Sequence, residues 1–212
     1  MAMIDDNSKT QIKNVFGQMK ETVNVIIVTK KEHCDTCEDT VNFITEITDL
    51  SEKLTLEVIN ETDDKAKTLN VEMAPAIILL GADGKDYGIK FYGIPAGHEI
   101  NSFIMGILEV SGTGETLSDN LMKRINGISK PVDIKVFVTL GCPHCPGAVA
   151  KAHKIALLNE NVHAEMIEAN IFGEVAQKYN VSSVPKIVFN DGSELIGDQP
   201  IEAFLSTIET LS

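Results

Sequence analysis

The feature that most constrains this chain is that it carries one pattern twice. Ser8, Lys13, Gly17 and Lys20 return as Ser118, Lys123, Gly127 and Lys130, 110 residues later. Cys34 and Cys37 return as Cys142 and Cys145, and Glu57 and Ile59 as Glu165 and Ile167, both at 108. Ala66, Asn70, Val71 and Pro75 return as Ala176, Asn180, Val181 and Pro185, again at 110. The drift of two residues is what one insertion and one deletion in loops leave behind. A 212-residue chain so divided is two units, each the size of a small domain. The small-residue run Ser111-Gly112-Thr113-Gly114 marks the boundary, giving modules 1–113 and 114–212.

Each unit reads as α-β-α-β-α-β-β-α. An amphipathic stretch opens it (8–20, 116–128), followed by a β-branched run, 23–28 in one copy and 132–138 in the other. The Cys pair precedes a helix-period segment with Val41, Ile44 and Ile47 on one face, or Val149, Ala152, Ile155 and Ala156 in the second copy. Strands at 54–60 and 162–168, short helices at 63–70 and 171–180, and strands after Pro75 and Pro185 follow. The turns Asp83-Gly84 and Asp191-Gly192 predict hairpins into a fourth strand, before final helices at 99–110 and 200–210. A strand–helix–strand unit closes as a right-handed parallel crossover, and a hairpin is antiparallel. The expected class is therefore α/β, each module a central four-stranded mixed sheet flanked by helices.

Composition narrows the function. With 31 acidic and 18 basic residues the net charge is −13, which disfavours nucleic acid and anionic membranes as partners. No apolar run approaches the length of a membrane helix, and the start Met1–Asp6 lacks the basic flank and apolar core of a secretion signal. The expected compartment is the cytoplasm, where four cysteines point to catalysis or metal rather than to a disulfide scaffold.

The chemistry lies in Cys34-Asp35-Thr36-Cys37 and Cys142-Pro143-His144-Cys145, each after a strand and at the start of a helix. The positive end of a helix favours thiolate over thiol, and the thiolate is the nucleophile. A second cysteine three residues on is within reach of a disulfide and resolves the mixed disulfide that the first one forms. Pro143 fits an early helical position, and His144 adds donors and a titratable charge beside the sulfur, both favouring the thiolate. Asp35 acts against it, so the second site is expected to be the more oxidising and the more reactive. The rival arrangement is four thiolates on one zinc ion, a binding module without turnover. Its pairs ordinarily lie a short loop apart, and here 104 residues intervene.

Strand, Cys-x-x-Cys, helix, strand, helix, then Ala-Pro or Val-Pro before a strand, resembles the thioredoxin superfamily. In tandem, with two Cys-x-x-Cys modules, it resembles the protein disulfide oxidoreductases, or glutaredoxin-like proteins, of archaea and some bacteria. The stretch from Phe91 to Glu99 is similar to that family's first module. A tandem thioredoxin fold also forms the amino-terminal part of bacterial peroxiredoxin reductases, which typically keep one Cys pair. The resemblance implies Cys34 and Cys142 as nucleophiles, Cys37 and Cys145 as resolving thiols, and Ala74-Pro75 and Val184-Pro185 as cis-proline loops that present a backbone edge to a substrate peptide. It implies exchange with protein thiols and disulfides, fed by a thioredoxin-reductase-like donor, with an electron relay to a peroxiredoxin as the alternative. No phosphate-binding or dinucleotide motif is present, so no bound cofactor and no metal are expected.

Weaker candidates are Glu57 and Glu165, either proton relays or ordinary strand-face carboxylates. The acid that thioredoxin carries six residues before its first cysteine is replaced here by Val28 and Val136. His33 and the Lys30–Lys31 pair adjoin the first site, whereas His98, His153 and His163 read as surface or helix residues. Gly93 and Gly197 are expected where a backbone comes close to the fourth strand.

Overall fold

The computed structural model describes residues 3–211; Met1, Ala2 and Ser212 lie outside the described residues. The first half comprises α1 (Asp6–Phe16), β1 (Val23–Thr29), α2 (Cys37–Thr48), β2 (Leu54–Asn60), α3 (Asp64–Thr68), β3 (Ala76–Leu80), β4 (Asp86–Tyr92) and α4 (Ile100–Val110). The second comprises α5 (Asp119–Asn126), β5 (Val132–Val138), α6 (Cys145–Leu158), β6 (Val162–Glu168), α7 (Gly173–Lys178), β7 (Lys186–Phe189), β8 (Ser193–Ile196) and α8 (Ile201–Glu209). The repeat fixes local detail too. Asn70 and Asn180, retained in both copies, take φ of 50° and 51°, a left-handed conformation that asparagine tolerates better than most side chains.

The strands form one eight-stranded sheet in the order β2-β1-β3-β4-β6-β5-β7-β8. Within each half the expected mixed pattern holds: β1 is parallel to β2 and antiparallel to β3, and β5 repeats this with β6 and β7. The fusion of the two sheets goes beyond that expectation. It is a parallel pairing of β4 with β6, with Ile89 opposite Ala164 and Phe91 opposite Met166. Following the pairings across, six strands run one way and only β3 and β7 oppose them.

Side chains alternate across this sheet. On one face, Val25, Ile27, Ile77, Phe91, Val136, Met166 and Phe189 pack against α1, α2, α4, α5, α6 and α8 in one apolar cluster that spans both halves. On the other, Ile26, Val28, Ile78, Tyr92, Phe137 and Ile167 pack against α3 and α7. Phe91 is the crossing point. It stands edge-on to Phe103 of α4 at 5.3 Å and to His153 of α6 at 4.7 Å. On the opposite face the junction places Lys90 beside its register partner Glu165, Nζ to Oε1 3.9 Å, with both side chains largely buried.

Because one core runs through both halves, they are expected to unfold together. Guanidinium denaturation of the protein should give a single transition, and Phe91→Ala should lower its stability by about 3–5 kcal/mol, the usual cost of deleting a buried aromatic ring. Two resolved transitions, with the mutation moving only one of them, would contradict this packing.

Candidate functional site

Both cysteine pairs are disulfides, Cys34–Cys37 with Cα atoms 5.4 Å apart and Cys142–Cys145 with 5.5 Å. The helices begin at the second cysteine of each pair, not at the first. Thr36 and His144 are the N-cap residues, and neither side chain caps the helix. The expectation that Pro143 occupies an early helical position is corrected accordingly: Pro143 lies outside the helix, and Pro146 takes the helical start. Cys34 and Cys142 thus lie three residues ahead of the first helical residue.

The two sites differ in access. Cys34 is half-buried between exposed His33 and Asp35, and His33 has φ of 55°. Cys142 is 8% exposed and Cys145 is fully buried, although Gly141, Pro143 and His144 around them are exposed. The Ala74-Pro75 and Val184-Pro185 peptide bonds are both cis. Register puts each at the end of the strand that leads to its disulfide: Ala76 is opposite Val28 near the end of β1, and Lys186 is opposite Phe137 near the end of β5. Gly93, with φ of 96°, donates its amide to the Pro75 carbonyl at 2.9 Å, and Gly197 donates to the Pro185 carbonyl at 2.8 Å. The expected close approach holds at Gly93 only, and with side chains: a Cβ there would meet Glu168 at 2.9 Å and Ile171 at 3.1 Å, whereas at Gly197 it would meet only Gln199 at 3.7 Å.

Strand direction places both disulfides on one edge of the sheet, since β1 and β5 are parallel through the chain of pairings. Four strand spacings, roughly 19 Å, separate β1 from β5, the strands that lead to them. Four thiolates so placed cannot share one ion, which removes the zinc arrangement. Among the described residues, no group of three or more His, Cys, Asp or Glu could hold a metal.

The remaining candidates separate. Glu57 is exposed and pairs with Lys65 at 2.5 Å, whereas Glu165 is half-buried at the junction, and desolvation holds its carboxyl above the usual range against the pull of Lys90 and Lys135. The repeat-related pair therefore shares no role. His163 faces Asp133 at 3.4 Å on the exposed sheet surface. Of the surface and helix readings His153 takes the helix one: it is buried in α6, both ring nitrogens lack a partner, and burial pushes its imidazole down to about 3.

One acid at the second site has no distinct signal in the sequence. Residues 93–99 leave β4 and cross toward this site, where the His98 amide donates to the Leu140 carbonyl at 3.0 Å, two residues before Cys142. The 3-10 turn Gly97–Glu99 packs on α6, the helix that starts at Cys145. Glu99 is fully buried in this turn. Its Oε2 accepts from the Ser102 hydroxyl, its Oε1 has no partner, and burial pushes it up to about 7. Only its place at the end of the Phe91–Glu99 stretch points to it.

The Thioredoxin domain family model matches residues 132–210. Over 98% of its length the chain is 27% identical to the F subunit of alkyl hydroperoxide reductase in Pseudomonas aeruginosa, but it spans only 38% of that protein. A solved structure of a mutant of the corresponding Enterococcus faecalis protein, also an F subunit of alkylhydroperoxide reductase, superposes with a TM-score of 0.92 at 30% identity, covering 98% of this chain and 100% of that one. The chain belongs to the thioredoxin superfamily, in its tandem-domain form. A protein disulfide oxidoreductase from Aeropyrum pernix has the same tandem thioredoxin-like architecture, with a TM-score of 0.90 at 27% identity over 99% of this chain and 94% of that one. With two Cys-x-x-Cys disulfides on that frame, the protein is thiol–disulfide oxidoreductase-like.

The raised Glu99 carboxyl has a consequence for stability. Between its ordinary value of 4.5 and about 7, the folded chain holds a proton that the unfolded chain has lost. Stability contributed by the neutral acid is present at low pH and falls as pH rises through this window. Glu99→Gln should therefore be near-neutral at pH ~5 and stabilising by roughly 3 kcal/mol or less at pH ~8, read from denaturation midpoints. Equal effects at both pH values would show that the carboxyl is not held neutral.

Proposed function

We propose that this protein exchanges disulfides with protein partners through mixed disulfides, Cys34 and Cys142 attacking and Cys37 and Cys145 resolving. The observation that carries the reading is the shared edge: two oxidised pairs that follow parallel strands, each strand paired at its end with the strand after a cis-proline. In the reducing direction the Cys142 thiolate attacks a substrate disulfide and expels one thiolate. Cys145, losing its proton, attacks the Cys142 sulfur and expels the second. Two electrons pass to the substrate and the pair ends oxidised. Glu99, poised near neutrality and buried against the helix of this pair, is suited to take the Cys145 proton and return it to the leaving thiolate. Module one would thus supply the acid–base group of module two.

The modules would divide as 1–113 and 114–212. Thr113 donates to the Gln18 carbonyl at 2.9 Å and belongs with the first module, while the Glu115 carbonyl accepts from Lys154 of α6 at 2.6 Å. Asp35 and Thr36 against Pro143 and His144 would tune the two pairs differently, the second being the more reactive. The proline loops 74–75 and 184–185 would pair with extended peptide from each partner. With four strand spacings, roughly 19 Å, between the strands that lead to them, the pairs would not exchange directly in this fold, and electrons passing from one to the other would travel through a partner.

A narrower version favours a dedicated relay: a thioredoxin-reductase-like donor feeds one pair, and the other delivers to a peroxiredoxin. The likeness to the alkyl hydroperoxide reductase proteins along nearly the whole chain supports it. Either version places the protein among reduced thiols in the cytoplasm. Among the described residues no helix is long and apolar enough to cross a membrane.

Cys34→Ser and Cys142→Ser variants assayed for insulin reduction and for peroxiredoxin-coupled peroxide removal test both versions. Cys142→Ser should abolish delivery to substrate, while Cys34→Ser should spare delivery and fail with the electron donor. Equal losses towards every partner would end the division of labour. Full activity in both variants would end the exchange reading itself.

A further inference from the structure

Residues 139–150, which carry the second disulfide, contain no Asp, Glu, Lys or Arg. The carboxylate of the ionic pair near this site is imported. Lys151, in the second turn of α6, donates to Asp198 Oδ1 and also to the Gly147 carbonyl at 3.3 Å. Asp198 comes from the loop after β8, whose Gly197 amide is tied to Pro185 of the proline loop. Its carboxyl group lies directly on Gly147: a Cβ added there would collide with both of its oxygens. Gly147 is the third residue of α6, two after Cys145. A carboxylate from the far end of the module therefore sits on the first turn of the helix that ends at the disulfide. It is about one-third exposed, as is its lysine.

The first half has no such device. There the helix carries its own acids, Glu38 and Asp39, in its first turn, and α6 carries none. The residues matching Lys151 and Asp198 are Phe43 and Ile94, both buried and apolar.

The position has an electrostatic consequence. Reduction adds two electrons and one proton to the disulfide, leaving Cys145 as a thiol and Cys142 as a thiolate at the helix mouth. That thiolate and the Asp198 carboxylate draw on the same positive end of α6 and repel each other. Lys151 offsets the carboxylate. We propose that Asp198 and Lys151 are positioning residues that set the redox poise of Cys142–Cys145 in opposite senses, Asp198 favouring the disulfide and Lys151 the dithiol. The proposal deepens the exchange reading and rests on it for its biological meaning, but its test does not need turnover.

The full chain in a Cys34→Ser/Cys37→Ser background leaves one pair to titrate. It is equilibrated with glutathione buffers, the dithiol is counted by alkylation, and the Cys142 thiolate is followed by its ultraviolet absorbance against pH. Asp198→Asn should favour the dithiol by roughly threefold to tenfold, about 15–30 mV more oxidising, with a lower Cys142 pKa. Lys151→Met should shift both quantities the other way. Gly147→Ala, which keeps both charges but displaces the carboxylate, should follow Asp198→Asn, and Asp198→Glu should stay near the parent. Shifts in the same direction for Asp198→Asn and Lys151→Met, or none, would overturn the proposal, since a purely structural role gives no opposite signs. A variant that failed to fold, seen by circular dichroism, leaves Gly147→Ala against Lys151→Met to decide the sign. Failure of the exchange reading would show separately, as a parent protein that equilibrates with glutathione but passes no electrons to any protein disulfide.

Discussion

The parallel pairing of β4 with β6 is the interaction on which the rest depends. It makes two sheets one and lets a single apolar layer run through Phe91 from α4 to α6. It also fixes both disulfides on one edge at a set separation. On its other face the pairing buries Lys90 and Glu165 side by side. Such a pair adds little net stability, because desolvation offsets the attraction, but a slip of one residue would strand both charges. Burial thus supplies the energy of the junction, and the ion pair supplies its register.

The sites built on that frame are unequal in character. The first is open and ringed by its own charges: Lys31, Glu32, Asp35, Glu38 and Asp39 are all exposed. The second is recessed, uncharged along its own loop and helix start, and built with help from elsewhere. The segment after β4 brings Glu99 to it from the first half, and the loop after β8 brings Asp198. Duplication gave two similar frames. The fused sheet then let a segment of one copy, carrying Glu99, pack on the helix that follows the other copy's disulfide.

Much of this is legible in the sequence. The repeat, the strand cores and the cysteine pairs announce themselves because they rest on local periodicity and spacing. The fusion does not, since pairing of edge strands joins residues far apart in sequence. Its trace is the difference between two equivalent strands: β4 ends Ile89-Lys90-Phe91-Tyr92, buried on both faces, whereas β8 reads Ser-Glu-Leu-Ile and alternates with solvent. The Glu57–Glu165 parity misleads for the same reason, as one lies on an outer strand and the other at the junction. Glu99 and His153 stay hidden because burial of an ionisable group depends on the tertiary neighbours. Each helix starts at the second cysteine rather than the first, because the first cysteine belongs to the turn that precedes the helix.

The central claim is that Cys34 and Cys142 trade sulfur partners with other proteins while Cys37 and Cys145 finish the exchange. Its most direct test is to trap the intermediate. Reduced Cys37→Ser and Cys145→Ser variants are mixed with a disulfide-bonded protein, and the products are mapped by peptide mass analysis. The account predicts stable mixed disulfides through Cys34 in the first variant, when Cys142 and Cys145 are also removed, and through Cys142 in the second, when Cys34 and Cys37 are removed. Absence of any adduct at both positions, with the thiols shown to be free, would contradict it.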